Sequence, residues 1–447
     1  MGTPTMRFLG GVAEIGGNKI VIEDGPDRIL FDFGPSFSPR FEQFYYNFLQ
    51  PRSLYPVKDL LEFDLLPRVE GLYSPEALNG SDLAYRDPEF HAVFVSHAHA
   101  DHAGYLDMID PTIPVYVSPG TKTILEAIES SGMQRYGEHD WRMVADSDPI
   151  KVGNLEVVPF PVDHSIPAAR GFVIHTREGA IVYTGDFRIH GPRARTTVDF
   201  LAEAKGILPK ALIMEGTRAG PDPRLNFSEQ GVREGVEQVL TGSPHVSIVS
   251  CYPRDVDRLT TLYQAAIASD REFVISLRTA HLLRSIAEAG MLPGAPVPGV
   301  SPGLRVYLRP KRVYYKWERP FLDDAVDSEF VRRNGPKLLL SLDLLHFAEL
   351  IDLRPPRGAP FIHSMSEPFS EDDVDDLVLH NWIDHFGLQF HQMHASGHCS
   401  GPELGQFVKE MAPRTLFPIH TEHPDLFQAY LDRVIQPKLG ATHPLPS

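Results

Sequence analysis

The residues best suited to chemistry lie in the stretch 95–104, VSHAHADHAG, where three imidazoles and a carboxylate occupy six positions: His97, His99, Asp101 and His102. An apolar run at 92–95 precedes them and predicts a strand, so His97 and His99 should point the same way from its end or from the loop beyond. Imidazole and carboxylate ligands at this density indicate zinc or a similar first-row divalent ion, and two adjacent sites fit better than one. The alternative is a solvated histidine-rich turn. The apolar strand predicted directly before the cluster disfavours this alternative, because polar groups at strand ends are typical of sites in α/β sheets.

More ligand-type residues follow other predicted strands. His164, Asp186 and His420 each come directly after an apolar stretch, as the first cluster does. Two metals need more ligands than the first cluster holds, and a carboxylate such as Asp186 can bridge two ions. The alternatives are a hydrogen-bonded loop histidine and an N-cap or turn aspartate. Asp32 ends an earlier strand, where it either orients a ligand histidine or caps a neighbouring loop.

The composition describes a globular chain with ample core. With 447 residues, 42% hydrophobic and 23% charged, it exceeds the size that one core usually holds. We expect no membrane span and no secretion signal, because no run of about 18 apolar residues occurs and the N-terminus lacks a basic start before an apolar segment. Two cysteines, Cys251 and Cys399, cannot form a disulfide framework, so we predict a cytoplasmic protein in which Cys399 is a packed side chain. The net charge of −17 disfavours coating nucleic acid by bulk electrostatics, yet it is compatible with a nuclease that has a local basic rim.

The order of predicted elements indicates an inserted domain. Residues 36–90 predict loops and short helices, and a helix should open at Gly104 after the metal-type cluster. From residue 228 helices and strands alternate, which is typical of a small parallel sheet. We therefore predict a first domain part at 1–220, an inserted domain at 221–360 and a returning part at 361–447, in which Ser370 caps a helix over 370–382.

Residues 305–319, RVYLRPKRVYYKWER, interleave basic and aromatic side chains. Such a stretch can hold a single nucleic-acid strand through phosphate contacts and base stacking. An exposed edge strand with long side chains lying over apolar surface explains the pattern equally well. In an acidic chain it is nevertheless the best candidate for a nucleic-acid rim.

The ordered motifs resemble those of a known family. The series of Asp32, the cluster at 97–102, His164 and Asp186 is followed by Glu215, by His398 in the loop SGHCS, and by His420. This series is similar to that of the β-CASP branch of the metallo-β-lactamase superfamily, and most similar to ribonuclease J and its archaeal relatives. The resemblance implies an α/β (α+β) fold, a metallo-β-lactamase αββα sandwich with an inserted β-CASP α/β domain.

The resemblance also implies roles for individual residues. His97, His99 and His164 would bind one zinc, Asp101, His102 and His420 the other, and Asp186 both, with manganese as the alternative metal. The implied activity is hydrolysis of RNA phosphodiester bonds, from a 5′ end or internally, by a hydroxide that two zinc ions activate. His398 would donate a proton to the departing oxygen, and Glu215 would orient a histidine. His394, Ser396 and Ser400 would contact substrate.

The implied partner is single-stranded RNA, with 5′-monophosphorylated RNA as one substrate and a homodimer as one assembly. His420 favours RNA over DNA, because a histidine at this last motif accompanies RNA substrates in the family. Two features depart from ribonuclease J: Glu215-Gly216-Thr217 replaces an aspartate- and serine-rich motif, and the sequence after His420 runs only to Ser447. The alternatives are a hydrolase of small thioesters or lactones, a DNA-directed β-CASP nuclease and a non-catalytic RNA-processing subunit.

Overall fold

A computed structural model gives the fold and describes residues 2–37, 39–45, 49–220, 228–368 and 373–446. The strands of these residues are, in chain order, β1 Thr5–Gly10, β2 Lys19–Asp24, β3 Asp27–Phe31, β4 Ala92–Phe94, β5 Val115–Val117, β6 Trp141–Met143, β7 Ile150–Val152, β8 Leu155–Pro161, β9 Arg170–Thr176, β10 Gly179–Tyr183, β11 Ala211–Glu215, β12 Ser247–Cys251, β13 Glu272–Ser276, β14 Leu304–Tyr307, β15 Leu338–Ser341, β16 Pro360–Ser364, β17 Gln389–Gln392, β18 Leu416–Ile419 and β19 Thr442–Pro444. The α-helices are α1 Pro39–Glu42, α2 Pro56–Glu62, α3 Ala100–Ala103, α4 Pro119–Ser130, α5 Ala194–Ile207, α6 Glu229–Gly242, α7 Val256–Ala268, α8 Leu277–Glu288, α9 Ser328–Asn334, α10 Leu350–Leu353, α11 Val374–Phe386 and α12 Gly401–Met411.

Two sheets pack face to face in the first part of the fold. One has seven strands in the order β19-β1-β2-β3-β4-β5-β6, and the other has six in the order β18-β11-β10-β9-β8-β7. Alternation along β3 shows how they bury their faces: Ile29 and Phe31 point into the core between the sheets, while Leu30 points to the outer face. Phe31 lies 5.1 Å from Phe172 of the facing sheet, centroid to centroid. The inner faces therefore form one apolar core.

Helices cover the outer face of each sheet. α5 and α12 pack on the second sheet through Phe200, Phe407 and neighbouring apolar side chains. On the first sheet, α4 contributes Ile124, Leu125 and Ile128 to the outer cluster. The result is the predicted αββα sandwich.

The third sheet is built from parallel pairs in the order β14-β13-β15-β12-β16-β17. Its strands alternate with helices, as the sequence predicted. β16 and β17 pair within this sheet, because the register Pro360↔Gln389 to His363↔Gln392 continues it beyond residue 361. The predicted return to the first domain at 361 thus falls inside the inserted sheet, and we place it after Gln392.

Two helix starts differ from their predictions, and one local prediction agrees with the structure. The helix expected at Gly104 begins earlier, at Ala100, so Asp101 and His102 lie in its first turn, and a 3₁₀ turn at Leu106–Met108 follows. The segment 36–90 contains the expected short helices, α1 and α2. Ser370 lies outside the described residues; α11 begins at Val374, and its cap is Asp373, whose side chain accepts from the amides of residues 375 and 376.

Both cysteines are free and buried, and Cys399 packs in the apolar cluster of the second sheet, as predicted. Across the residues that the structure describes, every helix is too short or too polar to cross a bilayer.

Candidate metal centre

The predicted ligands come together at one end of the two facing sheets. Their side chains form two groups, each with ligand atoms within 4.8 Å of one another: His97, His99, His164 and Asp186 in the first, and Asp101, His102, Asp186 and His420 in the second. Asp186 belongs to both groups. All seven predicted ligands are therefore in the cluster.

The first group points nitrogen lone pairs at one another. His97 Nε2 lies 3.1 Å from His99 Nδ1, which lies 3.0 Å from His164 Nε2. Nδ1 of His164 already donates to the carbonyl of Gly397 at 2.7 Å, and Nδ1 of His97 lies 3.0 Å from the Ser96 hydroxyl. Three ring nitrogens this close, with their partners on the other side, form a donor set for a cation.

Burial keeps these three imidazoles neutral. It lowers the pKa of His97 and His164 well below the ordinary histidine value, with the neighbouring imidazoles adding to the effect. Burial also lowers the pKa of His99 to about 4, although Asp101 and Asp186 oppose the change. Neutral imidazole is the form that binds a metal.

The second group combines carboxylates with imidazoles. His420 Nε2 is 3.0 Å from Asp101 Oδ2, and His102 Nε2 is 3.1 Å from Asp186 Oδ2. Burial alone would lower the pKa of His420, but Asp186 and Asp101 outweigh it and raise the pKa to about 9. A divalent cation held by these carboxylates would compete with that proton.

Asp186 carries a further mark of a metal ligand. Its Oδ1 is buried and has no hydrogen-bond partner among the described residues. Burial would raise the pKa of Asp186, but His102 and His420 outweigh it and hold the pKa well below the ordinary value. An orphaned, charged, buried oxygen is costly unless a cation pairs with it, so the residues present fit two divalent ions.

Asp32 orients His102 from behind, as one of the two predicted alternatives stated. Its Oδ2 lies 2.8 Å from His102 Nδ1 and accepts from the Tyr183 hydroxyl at 2.6 Å, while Oδ1 accepts from the Ser96 amide at 2.7 Å. The second alternative, a loop contact, is therefore also realised. Asp32 has a φ of 57°, a left-handed conformation that aspartate and asparagine tolerate better than most residues.

Glu215, at the end of β11, holds two histidines. Its Oε1 accepts from His398 Nδ1 at 3.0 Å, and its Oε2 accepts from the Thr217 hydroxyl at 2.8 Å. That hydroxyl lies 2.8 Å from His420 Nδ1. Because the Thr217 hydroxyl oxygen accepts from Nδ1 of His420, the Nε2 lone pair of His420 remains available to the cluster.

His398 stands beside the metal-type cluster, where the sequence placed it. Its ring centroid is 5.0 Å from that of His164 and 5.7 Å from that of His420. One fifth of its side chain is exposed, whereas Glu215 is fully buried. His398 can therefore meet a substrate while Glu215 fixes its ring.

The predicted substrate contacts have different surroundings. The Ser396 hydroxyl accepts from the His398 amide at 3.1 Å and so shapes the loop. Ser400 is the N-cap of α12, and its hydroxyl donates to Glu403 at 2.9 Å. His394 Nδ1 lies 3.2 Å from the Arg258 guanidinium, and burial together with Arg258 lowers its pKa well below the ordinary value.

Buried arginines connect the metal-type cluster to the inserted sheet. Arg188, two residues after Asp186, donates to Asp163 at 3.2 Å and to Asp257 at 2.8 Å. Arg258, on α7, donates to Glu229 at 2.8 Å and to the carbonyl of Ala395 at 3.0 Å. Arg188 also donates to the carbonyl of Ser396 at 3.3 Å, so both arginines hold the loop that carries His398.

The sequence did not identify four residues that contribute to this site. Ser96, Tyr183 and Thr217 gave no distinctive signal, because single hydroxyls after strands are common. Arg254 follows β12, and its charge lowers the pKa of the partly buried His99. Its guanidinium forms no hydrogen bond or ion pair with any residue in the described ranges. A polar residue just past an apolar strand was the signal that could have revealed Arg254.

Known domain families match two parts of the chain. Residues 71–241 match the model described as a beta-lactamase superfamily domain, and residues 386–435 match the Zn-dependent metallo-hydrolase RNA specificity domain. The first match contains the cluster up to Glu215, and the second contains His398 and His420.

Among curated proteins, the chain is similar to bacterial enzymes named ribonuclease J. It is 26% identical to the one from Sinorhizobium meliloti over 76% of the chain, and spans 59% of that relative. It is 27% identical to the one from Thermus thermophilus over 93% of the chain and 67% of the relative. A crystal structure of a protein of unknown function from Enterococcus faecalis V583 superposes with a TM-score of 0.80 at 25% identity, over 99% of this chain and 100% of that one.

Proposed function

We propose that this chain, which belongs to the metallo-β-lactamase superfamily and has the β-CASP, ribonuclease J-like architecture, is a metal-dependent ribonuclease that hydrolyses RNA phosphodiester bonds. Both domain matches and the relatives named ribonuclease J confirm the family resemblance that the sequence indicated. RNA is the proposed substrate because the relatives are ribonucleases J and the second matched domain is an RNA specificity domain.

The observation that carries the proposal is the position of Asp186, shared between two groups of four ligand-type residues. Two divalent cations held there would supply Lewis acidity toward a phosphate and a nucleophile at neutral pH. We assign His97, His99 and His164 to one ion, Asp101, His102 and His420 to the other, and Asp186 to both. Five imidazoles among the seven ligands favour zinc over manganese, because manganese prefers oxygen ligands.

His398 is the proposed proton donor. Glu215 accepts from Nδ1 and stabilises the imidazolium, which leaves the Nε2 proton to be donated to the departing ribose oxygen. Glu215 is a positioning residue in this scheme, since it is fully buried behind the ring.

Substrate phosphate would be met by Arg254, together with His394 and the loop of Ser396. The Arg254 guanidinium has no ion-pair partner among the described residues, and its charge acts on His99. A guanidinium can bind two phosphate oxygens at once. We omit Ser400 from these contacts because its hydroxyl already donates to Glu403 at the N-terminus of α12.

The decisive assay incubates zinc-loaded and manganese-loaded protein with 5′-monophosphorylated, 5′-hydroxyl and internally labelled RNA, and with matched DNA. Mononucleotides from 5′-monophosphate RNA alone would support a 5′–3′ exonuclease, and internal fragments an endonuclease. Turnover of a thioester without cleavage of any nucleic acid would refute the proposal.

Two variants separate metal binding from proton donation. His398→Ala should retain both metals by elemental analysis and lose about 10²–10⁴-fold in cleavage rate. Asp186→Asn should lose metal from both groups. His385→Ala, an exposed histidine on α11, is the matched control and should leave both quantities unchanged.

The remaining parts of the proposal are a cytoplasmic location, which the two free cysteines favour, and a homodimer, which light scattering of the purified chain would test.

A further inference from the structure

We infer that residues 309–319 form a rim that binds single-stranded RNA outside the metal centre; this rests on the proposed ribonuclease function. The name "the rim" is used below for these residues. They contain five basic residues and one acidic residue, in a chain of net charge −17.

The structure separates two interpretations that the sequence left equal. Residues 304–307 are β14, the edge strand of the inserted sheet, and Arg305 pairs there with Glu272 at 2.9 Å. The chain then leaves the sheet, so the edge-strand explanation ends at Tyr307. Residues 309–319 need another explanation for their basic side chains.

Most of the rim's cations have no side-chain partner in the part of the chain that the structure describes. Arg309, Arg312, Lys316 and Arg319 are exposed and form no ion pair or side-chain hydrogen bond with any residue that the structure describes. Elsewhere on the surface many arginines do pair, for example Arg233 with Glu237 at 2.7 Å. Four unpaired cations in one short segment form a positive surface that phosphates complement.

Aromatic rings accompany these cations. Tyr315 is 63% exposed, and the Lys311 ammonium lies 4.8 Å from its ring centroid. An exposed ring beside cations is a stacking platform for an unpaired base, and stacking of this kind requires a single strand.

The segment has internal supports, so its side chains project from a defined backbone. Glu318 is buried and accepts from the Tyr315 amide at 2.7 Å and from the Lys311 ammonium at 2.5 Å. Trp317 packs against the ring of His281, 5.3 Å away, and His281 Nε2 lies 2.8 Å from the hydroxyl of Ser130 on α4. The rim is therefore anchored where the inserted domain meets the first domain.

The rim lies at the edge of the sheet that faces the metal centre. In a parallel sheet all carboxyl ends meet at one edge. β12 ends there before Arg254, whose charge acts on His99, and β14 ends there before the rim. Three strand spacings separate β12 from β14 in the sheet order, which is about 14 Å. An RNA strand whose phosphate lies at Arg254 can reach the rim with its neighbouring nucleotides.

The test measures binding of labelled single-stranded phosphorothioate RNA, which resists cleavage, by metal-loaded protein. Lengths of about 4 and about 16 nucleotides bracket common single-strand site sizes. Substituting Arg309, Arg312, Lys316 and Arg319 by glutamine should weaken binding of the longer RNA at least tenfold. It should also reduce the slope of log affinity against log salt by as much as about 3, since each phosphate contact contributes about 0.7. Affinity for the shorter RNA should change little.

The matched control substitutes glutamine for four exposed basic residues outside the rim: Lys205, Lys409, Arg433 and Lys438. Equal losses in both variants would mean that net charge alone matters and would overturn the rim, as would unchanged affinity in the rim variant. Tyr315→Leu should weaken binding about tenfold and Tyr315→Phe should not, because phenylalanine still stacks.

These readouts are independent of cleavage. A chain that binds long RNA through the rim but cuts no RNA would refute the proposed function and keep the rim. A chain that cuts RNA with rim variants of unchanged affinity and salt slope would keep the function and refute the rim.

Discussion

Glu215 and His398 are joined by a 3.0 Å hydrogen bond from Nδ1 to Oε1, between a fully buried carboxylate and a partly exposed imidazole. The two residues are 183 positions apart in sequence. The contact ties the end of β11, in the first domain, to the loop that follows the inserted sheet. It makes the orientation of His398 depend on a residue that no substrate touches.

Glu215→Gln should lower kcat about tenfold or more while leaving metal content unchanged, because the amide cannot stabilise the His398 imidazolium as a carboxylate does. A purely structural role would lower the amount of folded enzyme and leave kcat per folded molecule unchanged. In a His398→Ala background the Glu215→Gln change should have little further effect on rate.

Asp32→Asn should lower metal affinity about 10–100-fold by weakening the contact that orients His102. Asparagine tolerates the left-handed φ of 57° at this position, so the loss would not arise from backbone strain. Competition with a chromophoric chelator measures the affinity. Asp27→Asn, at the other end of β3 and bonded to Asn154, serves as the control, and equal losses in both variants would contradict the assignment.

Arg258→Met should reduce the free energy of unfolding by about 3–5 kcal/mol, because it removes the closest cation from the largely buried carboxylate of Glu229 and leaves it with Arg188, at 3.7 Å, and the Thr261 hydroxyl. Arg233→Met, on the neighbouring α6, breaks a partly exposed pair and should cost at most about 1 kcal/mol. Urea unfolding followed by tryptophan fluorescence compares the two. Similar losses would show that the Arg258 network contributes no more than a surface pair.

Glu403 should make stability depend on pH in acid. Burial would raise its pKa, but the His190 imidazole, 3.3 Å away, and hydrogen bonds from the Ser400 amide and hydroxyl outweigh burial and lower it to about 2, from 4.5. A lowered carboxylate pKa stabilises the fold fully above pH 4.5, and the contribution is lost as pH falls toward the folded value.

Glu403→Gln should therefore cost about 1 kcal/mol near neutrality, after allowance for solvent screening, and less at about pH 4. Urea titrations at both pH values measure the difference. Glu410→Gln, on the exposed side of the same helix, is the control variant. A Glu403→Gln cost that grows in acid would contradict the sign.

The sequence predicted the metal-type cluster because strand ends at one edge of a sheet meet, whatever their separation in the chain. His164, Asp186 and His420 follow β8, β10 and β18, which lie in one sheet. The supports behind the ligands were harder to predict. Tyr183 reaches Asp32 across the core, and Thr217 links Glu215 to His420 through a hydroxyl, and neither residue type marks such a role by itself.

The end of the inserted domain was predicted too early, since nothing in residues 360–364 distinguishes a strand of one sheet from a strand of the other. Pairing with β12 decides the matter, and pairing is not local in sequence. The same limit applies to Arg254, which a strand-to-helix turn brings toward His99 from the inserted domain.

The position of β18 has a consequence for biosynthesis. This strand docks on β11 in the register Leu212↔Leu416, about two hundred residues later in the chain, and delivers His420 to the second group of ligands. During translation the other six ligands emerge first, and the second group completes only after the edge strand has paired, a slow, non-local step. A nascent chain on the ribosome would thus carry an unfinished centre until β18 has emerged and paired with β11.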